Sequence, residues 1–414
     1  MSQDATAQPG LPTGPHGALA QARATAGTPA SAAAGTGSGS DRASDQAGAS
    51  RAPAGPAPAG HPPLSGATLV WGTLCLSAAV FMNVLDTSIA NVALPAIAGD
   101  LGVSPNQGTW VITSFAVANA ISVPLTGWLT QRFGAVRLFT ASVLLFVISS
   151  WLCGLAPSFE LLILFRVLQG AVAGPMIPLS QTLLLQSYPA AKSGMALAMW
   201  GMVTLVAPVT GPVVGGWITD NFAWSWIFYI NVPIGLLAAA GILAIYRHRD
   251  TPTRKLPIDT IGLALLVVWI SAMQIMLDKG KELDWFESPF IVALAVTAVV
   301  SFIIFLIWEL TERHPVVDLS LFARRNFWTG TLAISTGYGL FFGNVVLLPL
   351  WLQQYMGYTA TYAGLVMAPV GVLAIVLSPL VGRTVGRVDP RLYATASFAV
   401  FALVLWMRSR FNTE

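Results

Sequence analysis

From about residue 68 onward one apolar run follows another, each roughly 18–26 residues long and each closed by a short polar break. A helix of about 20 residues crosses the hydrocarbon core of a bilayer, and only helices or closed barrels satisfy every backbone group there. This pattern confines the chain to the class of all-α polytopic membrane proteins. Charge content agrees, since 9% of the 414 residues are charged and 55% are apolar, whereas soluble domains carry about 25% charged residues. A net charge of +3 in such a chain gives no reason to expect a nucleic-acid partner. Cys75 and Cys153 both lie inside apolar runs and read as free thiols. There is no zinc spacing, no HExxH and no GxxxxGK[ST] loop, so neither a metal site nor ATP-driven transport finds support.

Eleven helices are expected, near 68–95, 107–129, 137–156, 160–185, 194–217, 225–246, 258–277, 289–309, 327–354, 361–381 and 391–408. The positive-inside rule tests the count. With the N-terminus cytoplasmic, the inner connections hold thirteen basic residues: Arg132, Arg137, Lys192, Arg247, Arg249, Arg254, Lys255, Arg313, Arg324, Arg325, Arg383, Arg387 and Arg391. The outer connections hold only Lys279 and Lys281, among four acids. One helix more or fewer would scramble that alternation. Residues 1–67 are rich in Ala, Gly, Pro and Ser, and are expected to form a disordered cytoplasmic tail.

Asp86, in FMNVLDTSIANVALP, is the only acid well inside an expected span; Asp259 and Glu309 fall at helix ends. An ionised carboxylate at that depth costs about 2.5–3.5 kcal/mol, which suits Asp86 to take up and release a proton. A structural carboxylate bonded to a neighbouring helix is the plainer alternative. Arg166 is the only base well inside a span. A guanidinium keeps its proton, so Arg166 either biases Asp86 or serves as a fixed strut. The histidines His16, His61, His248 and His314 all lie in the tail or loops, which excludes a membrane histidine relay. In VAPVTGPVVGG, the residues Pro208, Gly211, Pro212, Gly215 and Gly216 crowd one helix. They suit close packing and also a hinge. In GWLTQRFGAVR, Gly127 and Gly134 permit a tight turn while Arg132 and Arg137 can cap helix C-termini and meet headgroups of membrane lipid. Trp224, Trp226 and Tyr229 would sit at the outer interface as an aromatic anchor. Asn91, Tyr338, Phe341, Phe342 and Asn344 are candidates for the lining of a substrate cavity.

LDTSIANVALP, LFRVLQG, GPVVGG and WSWIFYINVPIG together resemble the major facilitator superfamily, in its fourteen-helix drug:proton antiporter branch. NQGTWVITSFAVANAISVPLTGWL, LDKGKELDWF and VVDLSLFARRNF are similar to the EmrB-type subgroup. The resemblance implies an inner-membrane exporter of hydrophobic or amphiphilic toxic compounds. It would be driven by the proton gradient with no cofactor, with Asp86 and Arg166 at the coupling positions. It also implies two partners, a periplasmic adaptor (membrane fusion protein) and an outer-membrane channel.

Two departures from the family stand out. Gln131 occupies the place where the second-to-third-helix loop usually carries an aspartate, which puts a charge-paired gate there in doubt. Eleven helices also fall short of fourteen. The expected division is residues 68–247 as a six-helix N-terminal bundle, 248–312 as an inserted helix pair, and 313–414 as the first half of a C-terminal bundle. A chain cut there is expected to be unable to complete a transport cycle alone. A proton-coupled importer of a small metabolite and a non-transporting membrane scaffold remain the alternatives.

Overall fold

The computed structural model describes residues 61–254, 257–358, 360–384 and 387–410. The tail expectation falls mostly outside these residues, as does Lys255. Residues 61–65 are not helical but are tied down. The Leu64 N–H donates to the Ser187 carbonyl at 2.9 Å, and Arg249 donates to the Pro62 carbonyl.

All extended secondary structure among the described residues is helical. The first helices are α1 (Gly66–Asp100), the single turn α2 (Pro105–Gly108), α3 (Trp110–Phe133), α4 (Ala135–Gly154), α5 (Phe159–Ala173) and α6 (Met176–Ser187). Next come α7 (Ser193–Asn221), the single turn α8 (Trp226–Tyr229) and α9 (Asn231–Tyr246). Then follow α10 (Thr260–Lys279), α11 (Pro289–Thr311), α12 (Arg325–Tyr355), α13 (Ala360–Thr384) and α14 (Pro390–Arg408). With α2–α3, α5–α6 and α8–α9 each taken as one, these are the eleven expected segments in order. Among the described residues, ten spans are long and apolar enough to cross a membrane; α12, at 31 residues, is the other long helix.

Helix ends follow local chemistry. Ser104 and Gln107 form a reciprocal capping box at α2, Ser158 caps α5, and Asp259 accepts the Gly262 N–H at 2.8 Å to cap α10. Glu309 falls in the last turn of α11, as expected, and is buried, accepting the Val317 N–H at 3.0 Å. Because α1 is apolar on every side, it can be surrounded: α7 and α9 pack against it, α3 packs on α5, and α4 packs on α5 and α9. Two buried apolar clusters result. One gathers around Phe139, Phe146 and Tyr246, and the other around Ile89, Leu162 and Phe228.

Glycines set how closely these helices approach. A Cβ on Gly211 would overlap Ser88, and one on Gly215 would meet Ile89 Cγ2 at 3.1 Å, so the GxxxG pair faces α1. Gly216 instead looks onto open space. Gly170 touches the Phe115 backbone carbonyl so closely that α3 and α5 lie backbone to backbone.

Several loop expectations are corrected. Gly127 lies within α3 and takes no part in a turn; Gly134 alone makes it, at φ +90°. Arg132 does sit in the last turn of α3, where a cation suits the helix dipole. Arg137 caps no C-terminus, because it opens α4 and pairs with Asp250 at 3.4 Å. Asp250 Oδ1 also accepts the Val136 N–H at 3.0 Å, and Thr251 Oγ1 accepts that of Ala135 at 2.9 Å. The carboxylate at the start of α4 thus comes from the connection after α9. Trp224 is no interface anchor: it is buried and donates to Asp100 at 2.7 Å, whereas Trp226 is exposed and stacks edge-on against Tyr229. Lys279, expected in an open loop, is 8% exposed and donates to the Asn106 carbonyl (2.8 Å), Thr109 Oγ1 (3.0 Å) and Glu282 (3.0 Å). It fastens the end of α10 to the start of α3.

Candidate functional site

Asp86 sits midway along α1 and is 2% exposed. Arg166 and Gln169, three residues apart, project from one face of α5 and are both 0% exposed. Arg166 Nη1 donates to Asp86 Oδ2 at 2.6 Å and to Gln169 Oε1 at 2.7 Å. Gln169 Nε2 returns a bond to Asp86 Oδ1 at 3.1 Å. The three side chains therefore close a ring. Asn231, the first residue of α9, donates to Asp86 Oδ1 at 2.8 Å and to Ser150 Oγ of α4 at 2.9 Å. Ser150 in turn donates to the Phe228 carbonyl at 2.9 Å. Arg166 Nε reaches the Val111 carbonyl at 2.9 Å, so α1, α3, α4, α5 and α9 all contribute to the cluster.

Every protein partner of the Asp86 carboxylate is a donor, as the geometry of a charge-assisted cluster requires. Within this cluster two buried polar atoms have no partner, Arg166 Nη2 and Asn231 Oδ1. A buried orphan is costly. Here both orphans lie beside the ion pair, where a rearranged network or a water can use them.

A cavity of about 830 Å³ adjoins this cluster, lined largely from α1 (Asn83, Thr87, Ser88, Asn91) and α3 (Phe115, Asn119). Pro208 and Pro212 of α7 and Phe342 of α12 complete its apolar side. No lining residue is charged. Phe115 has two roles. Its ring lies 4.3 Å from the Arg166 guanidinium, a cation–π distance, and the same residue forms part of the cavity wall.

Asp86 and Arg166 meet as their types and positions led one to expect. Pro208 and Pro212 line the cavity, while Gly211 and Gly215 hold α7 against α1. Of the proposed lining, Asn91 and Phe342 are in place. Tyr338, Phe341 and Asn344 are not: Tyr338 stacks on Phe342, Phe341 packs edge-on against it, and Asn344 is held by Arg408 of α14. Tyr338 lies one turn before Phe342 on the same face of α12, and Phe341 one turn before the lining Val345, so both fall beyond the end of the cavity, while Asn344 is turned away from it. The loop residues Gly127, Arg132, Gly134 and Arg137 are remote from the cluster's bonds and cavity wall. Gln169, Asn231, Phe115, Asn83 and Asn119 were missed. A search for uncharged polar residues within apolar runs, beyond charged ones, would have found four of these five.

With this geometry in view, sequence comparison supplies the class. Residues 76–412 match the Major Facilitator Superfamily. The chain belongs to that superfamily, is a multi-pass membrane protein, and is a secondary transporter, not an enzyme. More particularly, it is 57% identical over 348 residues to Multidrug export protein EmrB of Haemophilus influenzae, covering 84% of this chain and 68% of that one. It is 56% identical over 353 residues to Fatty acid resistance protein FarB of Neisseria gonorrhoeae, covering 85% of this chain and 70% of that protein. The Escherichia coli K12 EmrB is 56% identical over 347 residues, with 84% and 68% covered. Among solved structures, a peptide transporter POT in complex with sulfate superposes with a TM-score of 0.53 at 14% identity, over 79% of this chain and 72% of that one. At that identity the likeness concerns the fold alone.

Proposed function

We propose that this chain is a proton-coupled exporter of hydrophobic or amphiphilic compounds in the bacterial inner membrane, with its N-terminus in the cytoplasm. One observation carries the proposal: a fully buried Asp86–Arg166 pair lies against Phe115, which also walls an uncharged cavity of about 830 Å³. Movement of cargo against Phe115 can therefore reach the ion pair without any bond from cargo to Asp86. The names of the relatives, a multidrug export protein and a fatty acid resistance protein, support an amphiphilic cargo. The lining argues against an importer of polar nutrients, because such cargo calls for charged or dense hydrogen-bonding groups at mid-membrane. It is no better suited to a non-transporting scaffold, which has no use for an open cavity beside a buried charge pair.

In this mechanism Asp86, opened toward the outside, parts from Arg166, binds a proton, and cargo leaves. On the return it gives the proton to the cytoplasm and re-forms its bonds to Arg166, Gln169 and Asn231, while the α7 segment Pro208–Gly216 bends. The positive-inside distribution supports the orientation. A periplasmic adaptor and an outer-membrane channel as partners, and the division of the chain at residues 247 and 312, rest on the family resemblance. The test is dye-induced proton movement in proteoliposomes holding the full-length protein, with rhodamine 6G as cargo and a pH-sensitive dye inside. Wild type should show it and Asp86→Asn should not. Proton-dependent efflux at the normal rate in Asp86→Asn would remove Asp86 from the mechanism.

A further inference from the structure

Two serine hydroxyls stand where backbone N–H groups are missing. In an α-helix the carbonyl of residue i accepts from the N–H of residue i+4, and a proline at i+4 has none to give. Pro212 therefore leaves the Pro208 carbonyl of α7 without its intrahelical donor, and Ser88 Oγ of α1 donates to that carbonyl at 2.9 Å. Where α5 meets α6, Pro175 deprives the Ala171 carbonyl in the same way, and Ser122 Oγ of α3 donates to it at 2.5 Å. In both places a glycine precedes the proline, and a Cβ there would overlap the serine: Gly211 against Ser88, and Gly174 with Ser122 Oγ only 2.8 Å away. Neither glycine has a positive φ. Each is needed for the space it leaves. Gly174-Pro175 and Gly211-Pro212 are the two Gly-Pro dipeptides among the described residues, and both carry the same device.

We propose that Ser88 and Ser122 are positioning residues of the transport cycle, each supplying the hydrogen bond that a proline removed. Each bond ties a broken point in one helix to its neighbour, so that α1 with α7, and α3 with α5–α6, hold the kinked geometry of this state until the bond is released. Asp86 lies two residues before Ser88 on α1, Arg166 lies on α5, and Phe115 lies two turns before Ser122 on the same face of α3, so the ion pair spans the two tied pairs. Ser88 also lines the cavity, which places one of the two joints in reach of cargo. Without the hydroxyl, the buried carbonyl has no donor, and the kinked geometry loses its advantage over straighter or more open ones by about tenfold.

The proposal rests on the transport reading, and its test separates the two. Ser88→Ala should slow rhodamine 6G turnover about tenfold with KM little changed. Pro212→Ala restores the N–H that the Pro208 carbonyl lacks, so Ser88→Ala added to Pro212→Ala should change turnover no further. A serine that acted by touching cargo would raise KM equally in both backgrounds. The same pattern is expected for Ser122→Ala with and without Pro175→Ala, and in melting midpoints of the purified full-length protein as well as in transport. If Ser88→Ala fails to accumulate, recovery of the Ser88→Ala/Pro212→Ala double to the level of Pro212→Ala supports the proposal, and continued loss overturns it. A silent Ser88→Ala, or effects that multiply across the two substitutions, also overturns it. Wild-type protein that moves no dye would refute the transport reading, while the melting comparison would still decide whether the serines replace the missing N–H groups.

Discussion

Replacing Arg166 with glutamine removes one charge from a pair whose side chains are 0% and 1% exposed. Solvent screening is negligible at that burial. Two unit charges with centres ~4 Å apart attract by about 4 kcal/mol at an effective dielectric of 20. The Gln169 and Asn231 donors, at 3.1 and 2.8 Å, remain to Asp86 in Arg166→Gln, but neither carries charge. Breaking a buried pair from one side leaves an uncompensated ion and costs about 3–5 kcal/mol, and that is the loss expected. Asp86→Asn strands the guanidinium and should cost a similar amount. The double variant Asp86→Asn/Arg166→Gln has no ion left to desolvate, so most of the cost should return, giving a coupling energy of about 2 kcal/mol or more. The assay is equilibrium unfolding of the full-length protein in mixed detergent micelles, read by tryptophan fluorescence for the four-member cycle. A single-variant cost below about 1 kcal/mol would place the pair with exposed salt bridges, and additive costs would show that the two charges do not act on each other.

Two further outcomes follow from packing and capping. Gly170→Ala should markedly lower the melting midpoint, because its Cβ would press on the Phe115 backbone, which cannot rotate aside; Gly216→Ala, facing open space in α7, should be neutral or slightly stabilising, measured by the same melts. Asp250→Ala should destabilise by about 1 kcal/mol through loss of the Val136 N–H acceptor, with Asp250→Asn recovering most of it, and a silent Asp250→Ala would show that the α4 start needs no cap.

The membrane spans were legible because hydrocarbon thickness imposes a length on every apolar run, and eleven segments emerge in the expected order. Asp86 and Arg166 were legible for a related reason. A charge in an apolar run is conspicuous, and two opposite charges in one bundle have few better partners. What escaped were features that depend on a residue's exact level along a helix and on contacts distant in sequence. Tyr338 and Phe342 share a face of α12 one turn apart, and only Phe342 is at the level of the cavity. Gly127 and Gly134 look equivalent as turn formers, yet α3 runs through the first and stops at the second. Asp250 lies more than a hundred residues from the helix it caps, a pairing no local pattern contains. Gln169 and Asn231 escaped because an amide is unremarkable in composition, and becomes informative only when its burial is known.

The ring formed by Asp86, Arg166 and Gln169 closes on itself: Arg166 Nη1 bonds to both partners, and the Gln169 amide accepts from one and donates to the other. Turning the amide over would set its NH2 against the guanidinium and its oxygen against the carboxylate, spoiling two contacts at once. Opening the ring at Gln169 therefore costs both of its amide contacts together. In the proposed mechanism the cluster is a binary element, whole or broken, and a transporter built on it would count its cycles instead of leaking by degrees.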